Sequence, residues 1–396
     1  MNQNKVLRIL YITFSPIDTN TSATLRNMAL IKGLVKNNSI IDLLTLTAID
    51  SINYYDNMVN KLENVNIISL PQNKAYSSLI EIDNNLKGKI KKAILPYLRK
   101  IYHSFNLFDN TIYVATKVDI NKIPSDYYDI VISSSDPKSS HIAAEKLISS
   151  GLKYGKWIQY WGDPLTIDIT NRSIHPKWYI KKIEENIISK SDIIVYVSPF
   201  TLAKQKKMFP NDSHKMTFIP TPYLQPRFFE NNKKKNSQNL TLGYFGDYKT
   251  TIRDIGPIYR YAKNSGHRLI IAGNSDVELM PTKNIIIYPR ITQKEITKLE
   301  EESDILVCIL NKKGTQIPGK IYHYGATNKP VLILLDGDYK SEISDYLSSF
   351  NRYILCENKE SAIGDALNKV TQQKKHWEPS PHFSPESIGQ QFINLL

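Results

Sequence analysis

Residues Asp304–Leu335 read DILVCILNKKGTQIPGKIYHYGATNKPVLILL. The apolar runs at each end, Asp304–Leu310 and Pro330–Leu335, have the length of buried β-strands. Between them lie a polar loop and a segment, Pro318–Thr327, that can form a short helix. A strand, a helix and a second strand in this order are typical of a parallel sheet covered by helices. The quoted stretch therefore predicts an α/β fold.

The same alternation continues along the rest of the chain. In the first half the predicted strands are Leu7–Phe14, Ile40–Leu46, Val65–Leu70, Asp129–Ser135, Lys156–Trp161 and Ile193–Val197. The second half adds Leu240–Phe245, Arg268–Ala272 and Asn284–Tyr288. A basic, Asn-rich stretch, Glu230–Asn239, has the character of a linker. We therefore predict two Rossmann-like domains, 1–229 and 240–376, and a tail, 377–396, whose helix packs back on the N-terminal domain.

Composition limits the class of protein. A chain of 396 residues with 41% hydrophobic and 22% charged residues is that of a globular protein with two domains. No apolar run reaches the roughly 18 residues of a membrane-spanning helix, and the N-terminus reads as a strand, so a cytoplasmic location is expected. The net charge of +13 suits a nucleic acid, an anionic membrane or a phosphorylated ligand. A Lys- and Asn-rich composition without any anionic partner explains it equally well.

The loop that enters the predicted helix has the features of an anion site. Pro318 suits a first helical turn, because the N–H that proline lacks would have no partner there. Gly319 lets a ligand approach the free backbone N–H groups, which together with the helix dipole favour an anion. Lys320 places a cation where the dipole disfavours one, and this indicates a phosphate. An ordinary turn with a surface lysine is the alternative.

Other strand ends carry candidate residues, because ligands bind at the carboxyl ends of strands in open α/β sheets. Gly246 follows one predicted strand, and Arg253 begins the next helix, where arginine can hold a diphosphate with bidentate geometry. Asp163 follows another strand and either binds a substrate or stabilises a turn before proline. Asp336 and Asp338 read as a turn rather than a metal site, so neither a metal nor a cofactor is expected.

A basic, amphipathic segment, 86–103, lies in the first half of the chain. Its lysines and arginine alternate with aliphatic residues, and it contains no acidic residue. Such a segment suits an anionic membrane surface or the phosphate of a lipid-linked glycan. A solvated helix pair kinked at proline is the alternative.

Several segments resemble one family. Ile317–Ala326, followed by Lys329–Leu332, is similar to the donor motif of family 4 glycosyltransferases, in which a Pro-small-Lys helix start precedes an acidic–aromatic pair and Lys-Pro-Val-Leu. Four segments resemble, in order, the N-terminal domain of one branch of that family: Tyr128–Pro137 with Ser140 and His141, Trp157–Pro164, Ser191–Ser198 and Met216–Pro222. The resemblance spans most of the chain. It implies the GT-B fold, in which two Rossmann-like domains face a cleft.

The resemblance also implies roles for individual residues. Lys320 and Arg253 would hold the diphosphate of a nucleotide-sugar donor. The other residues implied in donor binding are Gly246, Arg290, Ile291, Pro318, Gly319, Tyr322 and His323. On the acceptor side, Asp163 would bind the acceptor hydroxyl or the transferred sugar close to the reaction centre. The remaining cleft residues would be Thr21, Ser22 and Arg26.

Two positions depart from the family pattern. His323 stands where a glutamate usually binds the ribose, and Thr315 replaces a carboxylate near the donor sugar. The resemblance implies a retaining, metal-independent transferase that acts on a glycan or lipid-linked acceptor in bacterial surface polysaccharide synthesis. A degenerate nucleotide- or glycan-binding protein and a nucleotide-sugar epimerase of the same fold are the alternatives. A nucleic-acid partner is not expected, because the chain has no basic patch interleaved with aromatic residues.

Overall fold

The computed structural model describes residues 5–19, 21–48, 63–73, 95, 97, 98, 100–102, 104–169, 171, 173–230, 239–372 and 375–396. Two compact units make up the chain. Unit 1 consists of Met1–Pro220 together with Ile388–Leu396, and unit 2 consists of Thr221–Ser387. Among the described residues, no helix is both long and apolar enough to cross a bilayer.

Unit 1 contains a seven-stranded parallel sheet with the order β3-β2-β1-β4-β5-β6-β7. Its strands are β1 Leu7–Ile12, β2 Ser39–Leu46, β3 Val65–Leu70, β4 Tyr127–Ser134, β5 Lys153–Trp161, β6 Ile193–Tyr196 and β7 Met216–Phe218. Its helices are Ser22–Lys36, Ile112–Ala115, Ser139–Ser149, Lys177–Ile188 and Pro199–Met208. The central strands are apolar on both faces, as expected for a parallel sheet covered by helices.

Unit 2 contains a six-stranded parallel sheet with the order β10-β9-β8-β11-β12-β13. Its strands are β8 Thr241–Phe245, β9 Arg268–Ala272, β10 Ile285–Tyr288, β11 Ile305–Ile309, β12 Val331–Leu335 and β13 Ile354–Glu357. Its helices are Gly256–Asn264, Gln293–Glu302, Lys320–Gly325, Lys340–Ser348 and Glu360–Gln372. A further helix, Pro385–Ile393, crosses the boundary between the two units.

The two parallel sheets confirm the predicted α/β fold class. Two strands, β7 and β13, were not predicted, and both lie at an edge of a sheet. Edge strands are partly exposed and therefore lack the continuous apolar run that marks a central strand. The helix predicted at Pro318–Thr327 is shorter than expected and spans only Lys320–Gly325.

The C-terminal residues are part of unit 1. Ile388 and Phe392 are fully buried, and the ring of Phe392 meets Tyr160 edge-on with centroids 5.1 Å apart. Gly389 lies so close to Gly33 that a Cβ atom there would be 2.4 Å from the Gly33 carbonyl carbon. Most of the predicted linker at 230–239 and most of the basic segment at 86–103 lie outside the described residues.

Candidate functional site

The carboxyl edge of the unit 2 sheet brings several loops together. Because β8 lies between β9 and β11, the residues that follow these three strands are neighbours. The N–H of Gly246 donates to the carbonyl of Ala272 at 2.8 Å, and the N–H of Asn274 donates to Asp247 Oδ1 at 2.9 Å. These bonds join the loops after β8 and β9 and fix the floor of the candidate site.

Lys320 extends across this floor. Its side chain passes over Gly246, where an added Cβ atom would lie 3.1 Å from Lys320 Cε. Within the described parts of the chain, Lys320 Nζ has no salt bridge or hydrogen bond, and its recorded contact is the Tyr324 ring, with Nζ 5.8 Å from the centroid. Burial lowers the pKa of the Lys320 ammonium, although the Glu300 carboxylate opposes this shift. An anionic ligand would supply the missing partner.

Arg253 adds a second cation to the same edge. Its Nε donates to Asn311 Oδ1 at 2.9 Å, and its Nη1 donates to the Asp247 carbonyl at 3.3 Å. Both acceptors are uncharged, and no carboxylate pairs with Arg253 among the residues described. Its charge also helps to lower the pKa of Lys320. The sequence-predicted pair of cations is therefore brought together, and neither member forms a salt bridge with a carboxylate of the residues that the structure describes.

Gly319 and Pro318 precede the helix that carries Lys320. Gly319 has φ −57° and ψ −24°, an ordinary helical conformation, and an added Cβ atom would have no heavy atom within 4 Å. Neither backbone conformation nor packing therefore requires a glycine at this position. The helix itself has only six residues. Its dipole is correspondingly small, and the charges of Lys320 and Arg253 dominate the electrostatics of the site.

Arg227 and Glu300 form a part of this site that sequence reasoning missed. Glu300 is 2% exposed, and its carboxylate accepts a hydrogen bond from Arg227 Nη1 in a salt bridge. Arg227 Nη2 also donates to the carbonyl of His323 at 3.3 Å. The pair links helix Gln293–Glu302 to helix Lys320–Gly325. Glu300 lies in a run of acidic residues, which gave no sign that one of them would be buried.

His323 lies on the helix that begins at Lys320. Burial, together with the charges of Lys320 and Arg227, lowers its pKa to about 3, so the imidazole is neutral near pH 7. Its Nε2 atom is buried and has no hydrogen-bond partner in the described part of the chain. Thr315, the other position that departs from the family pattern, is 1% exposed.

The remaining predicted donor residues lie in different environments. Tyr322 is fully buried, and its ring packs edge-on against Phe383 with centroids 4.9 Å apart. Its side chain therefore belongs to the core of unit 2. Arg290 is exposed after β10 and forms a salt bridge of 3.5 Å with Asp247, while Ile291 beside it is half-buried.

Unit 1 carries a carboxylate cluster at the carboxyl edge of its own sheet. Asp136 follows β4, and Asp163 and Asp168 follow β5. Lys138 Nζ bridges Asp136 Oδ1 and Asp168 Oδ2, at 2.9 Å from each. Burial alone would lower the pKa of Lys138, but the three carboxylates raise it. Sequence reasoning found only Asp163, because the positions of Asp136, Lys138 and Asp168 in the sequence follow no regular spacing that would have indicated a cluster.

Asp163 is the member of this cluster whose carboxylate has no hydrogen bond among the described residues. Burial and the carboxylates of Asp136 and Asp168 raise its pKa to about 7, against the opposing effect of Lys138 and Arg26. The group therefore changes protonation near neutral pH. Such a carboxyl can either donate or accept a proton at a substrate hydroxyl.

Arg26 lies beside Asp163 and is 8% exposed. Its Nη2 donates to the carbonyl of Ser135, and its guanidinium carbon is 5.0 Å from the centroid of the Tyr160 ring. The guanidinium occupies the space above Gly162, where an added Cβ atom would be 2.2 Å from Arg26 Nη1, so a larger residue at this position would displace Arg26.

Thr21 and Ser22 lie at the start of the helix that carries Arg26. The Thr21 hydroxyl accepts from the Thr24 N–H and so caps helix Ser22–Lys36. Ser22 is exposed. Arg26 therefore joins Asp163 in the structure, whereas Thr21 has a structural role at the helix N-terminus.

His141 is a second buried histidine. Its segment resembles the family, but no role was predicted for it from the sequence. It lies in the first turn of helix Ser139–Ser149 and is fully buried. Its Nδ1 is 2.8 Å from Ser133 Oγ, and its ring lies 4.3 Å from that of Trp161. Burial, with Lys138 and Arg26, lowers its pKa to about 3. His141 is therefore neutral near pH 7 and packs against Trp161 at the end of β5.

The sequence matches no protein-family model and no curated protein. Solved structures do resemble the chain. AviGT4, a glycosyltransferase involved in avilamycin A biosynthesis, has a TM-score of 0.54 at 9% identity, over 98% of this chain and 96% of that one. An α-glucosyltransferase in complex with UDP and a 13-mer DNA containing an HMU base has a TM-score of 0.55 at 10% identity, over 98% and 95%.

A nucleotide-sugar epimerase is also among the structural neighbours. A putative UDP-N-acetylglucosamine 2-epimerase from Listeria monocytogenes has a TM-score of 0.51 at 10% identity, over 98% of this chain and 95% of that one. Many of the neighbours are glycosyltransferases. This structural similarity shows the α/β fold of the GT-B type over 98% of the chain.

Proposed function

We propose that this chain is a glycosyltransferase that takes its sugar from a nucleotide-sugar donor bound by unit 2. The observation that carries the proposal is the Lys320 ammonium, which is partly buried, has no anionic partner in the described chain, and lies beside Arg253 and the open space at Gly319. A donor diphosphate has the charge and the size to occupy this position. One structural neighbour is in complex with UDP, and another, from E. coli, is bound with UDP-2-fluoro glucose, which supports the choice of donor class.

The chemistry follows from the charge that develops in the reaction. When the bond between the sugar C1 and the diphosphate oxygen breaks, the electron pair moves to that oxygen. Lys320 and Arg253 would stabilise the negative charge, and the N–H groups of Gly319 and Lys320 would add hydrogen bonds. The unpartnered Nε2 of His323 would contact a ribose hydroxyl. No step requires a bound metal.

We assign acceptor binding to Asp163 and Arg26 of unit 1. With a pKa of about 7, Asp163 would accept a hydrogen bond from the acceptor hydroxyl when ionised. The family resemblance supports retention of the anomeric configuration and a glycan or lipid-linked acceptor of bacterial surface polysaccharide synthesis. The basic segment at 86–103 would attach the enzyme to the inner face of the membrane.

Replacement of Lys320 tests the proposal. We expect Lys320→Ala to reduce turnover of nucleotide sugars by about 10²- to 10³-fold, as is typical when one charge-stabilising group is lost. The measurement is release of nucleoside diphosphate from a panel of UDP- and GDP-sugars, with thermal unfolding to verify folding. Lys313→Ala, at an exposed position of the same loop, is the matched control. Normal turnover in Lys320→Ala would refute the assignment.

The same assay separates the alternatives. An epimerase would convert the nucleotide sugar into an isomer without net release of nucleoside diphosphate, and NMR of the sugar product detects this. The epimerase neighbour gives this outcome a specific basis. Tight binding of the nucleotide sugar without any chemical change would instead indicate a degenerate binding protein, for which the substitutions at Thr315 and His323 are the relevant observation.

A further inference from the structure

Unit 1 exposes a group of large apolar side chains that the proposed reaction does not use. Phe105 is 64% exposed, Ile174 is 60% exposed and Trp178 is 69% exposed. Leu98 and Ile101 are 46% and 54% exposed in the segment that precedes Phe105. We call these five residues the apolar patch. Single exposed apolar residues are common, but a group that includes a tryptophan is a mark of an interaction surface.

Backbone contacts hold the two segments of the apolar patch together. The N–H of Ile174 donates to the Ser104 carbonyl at 3.0 Å. His175 Nε2 lies 3.0 Å from the Phe105 carbonyl, and this contact requires the proton on that nitrogen. These contacts place Ile174 next to the segment that contains Phe105, although the two are distant in the sequence.

The rest of the fold prevents these side chains from turning inward. Helix Lys177–Ile188 buries Ile180, Ile187 and Ile188. Because successive residues are about 100° apart around a helix, Trp178 and Ile180 point in nearly opposite directions. On the preceding segment, Phe108 packs against the buried cluster that contains Trp161. The exposure of the apolar patch is thus fixed by buried contacts on the opposite side.

Exposed lysines lie on the same helix as Trp178, and one of them, Lys181, has its Nζ 5.7 Å from the centroid of the Phe209 ring. Lys177, Lys181 and Lys182 are exposed on the helix that carries Trp178, and none forms a salt bridge in the described portion of the chain. The first turn of this helix contains no acidic residue. A cation at a helix N-terminus is disfavoured by the dipole, so the fold itself does not stabilise Lys177 there.

We propose that the apolar patch docks on the surface of an anionic phospholipid bilayer. Tryptophan and large aliphatic side chains would enter the interface, and the three lysines would contact lipid phosphates. A protein partner fits this surface less well, because protein–protein interfaces are depleted of lysine, whereas membrane-binding helices are rich in it. The complementarity between anionic headgroups and exposed lysines that form no salt bridge among the described residues selects the bilayer as the occupant.

The position of the apolar patch has a consequence for the acceptor. Helix Lys177–Ile188 continues from the loop that follows β5, which carries Asp163 and Asp168. A bilayer on the patch would bring lipid headgroups to the part of unit 1 that we assign to acceptor binding. Docking itself is independent of the reaction, but the choice of a lipid-linked acceptor rests on the proposed function.

Vesicle flotation with the full chain tests the proposal. Vesicles of phosphatidylcholine with phosphatidylglycerol should bind the protein, and pure phosphatidylcholine vesicles should bind it weakly. We expect Lys177→Gln/Lys181→Gln/Lys182→Gln to reduce partitioning about a hundredfold, since each lysine near an anionic surface contributes roughly fivefold. Ile174→Ser/Trp178→Ser should reduce it at least tenfold.

Matched variants control for charge and hydrophobicity. Lys204→Gln/Lys206→Gln/Lys207→Gln removes the same charge from exposed positions of helix Pro199–Met208, and Met280→Ser removes a side chain that is 66% exposed in unit 2. Both should bind vesicles like wild type. In addition, tryptophan emission should shift to the blue with anionic vesicles, and Trp178→Phe should abolish this shift.

Three results would overturn the proposal. The first is unchanged partitioning of the Ile174→Ser/Trp178→Ser variant. The second is a loss of partitioning in Lys204→Gln/Lys206→Gln/Lys207→Gln equal to that in Lys177→Gln/Lys181→Gln/Lys182→Gln. The third is a change from dimer to monomer in Ile174→Ser/Trp178→Ser with vesicle binding retained. The last would identify the patch as a contact between copies of the chain. Thermal shift with nucleotides, without vesicles, separately tests the proposed function. Vesicle binding without a nucleotide response would leave docking intact and refute the transferase assignment.

Discussion

Gly319 and Gly246 lie close to the same lysine but have different reasons to lack a side chain. At Gly246 the space is occupied by Lys320 itself, whose Cε atom would be 3.1 Å from an added Cβ. At Gly319 the space is empty, and the backbone angles suit any L-residue. A side chain at Gly246 would therefore shift Lys320 by a few tenths of an ångström. The empty space at Gly319 has a use only if a ligand enters it.

Gly319→Ala tests this distinction. We expect the free energy of unfolding to stay within about 1 kcal/mol of wild type, because alanine adopts these angles without strain. Binding of nucleoside diphosphate should weaken at least tenfold, because the new methyl group would meet the ligand. Urea unfolding and isothermal titration calorimetry measure the two effects. Unaltered nucleotide affinity would mean that no ligand approaches Gly319.

The protonation of Asp163 predicts a dependence of stability on pH. An ordinary aspartate has a pKa of about 4, whereas burial raises that of Asp163 to about 7 in the folded chain. Between these values the folded state retains a proton that the unfolded state has lost. The contribution of this group to stability is therefore complete below about pH 4 and is lost as the pH rises through 7.

Asp163→Asn removes this dependence. We expect the variant to gain stability relative to wild type by roughly 1.4 kcal/mol for each pH unit between pH 5 and about 7, where the folded wild type still holds the proton, and to gain little more up to pH 8. Urea unfolding at both pH values measures the change. Asp126→Asn, at an exposed position, controls for the loss of one negative charge. If the difference between variant and wild type is the same at pH 5 and pH 8, Asp163 is not perturbed in this way.

At the scale of elements, the salt bridge between Arg227 and Glu300 connects three parts of unit 2. The Arg227 N–H donates to the Ala326 carbonyl at 2.8 Å, just after the end of helix Lys320–Gly325. Its guanidinium reaches Glu300 on helix Gln293–Glu302. A helix of six residues has little intrinsic stability, so such contacts hold it in place.

Disruption of this salt bridge should be asymmetric. Arg227→Met leaves the buried Glu300 carboxylate unpaired and should cost about 3–5 kcal/mol of unfolding free energy. Glu300→Gln leaves the arginine in contact with water and should cost less, because the Arg227 side chain is 20% exposed whereas that of Glu300 is 3% exposed. The double variant should lose less than the sum of the two. Additive losses in a urea-unfolding cycle would show that the two groups do not interact.

At the scale of the whole molecule, each unit presents its polar residues at the carboxyl edge of a parallel sheet. Unit 2 gathers the cations Lys320 and Arg253, neither of which forms a salt bridge among the described residues, whereas unit 1 gathers Asp136, Asp163 and Asp168 around Lys138. The two units thus differ in the charge of their candidate sites. An anionic donor should therefore bind to unit 2.

Hydrogen exchange can locate nucleotide binding within the molecule. A nucleoside diphosphate at about 100 times its Kd should stabilise the chain by roughly 2.7 kcal/mol. Amide protection should increase most in peptides that cover 246–253 and 311–323, which contain the proposed donor residues. Lys320→Ala should lose this protection at the same nucleotide concentration. Protection confined to peptides of unit 1 would contradict the assignment of the donor to unit 2.

The sequence by itself determined the α/β class, the central strands and the helix start at Pro318–Lys320. Buried parallel strands leave continuous apolar runs, and a helix start needs particular residues next to one another, so both signals are local. Arg227, Glu300 and Lys138 had no such signal, because each acquires its role from a partner that is distant in the sequence.

The tertiary structure decided what those local signals could not. It placed Tyr322 in the core although Lys320 is only two positions away, because a helix directs neighbouring residues to different sides. It also brought Asp136, which follows β4, to Asp163 and Asp168, which follow β5, since the order of strands in the sheet rather than distance in the sequence determines which loops meet. Burial and charge at each site depend on these neighbours, and the neighbours are known only when the strand order is known.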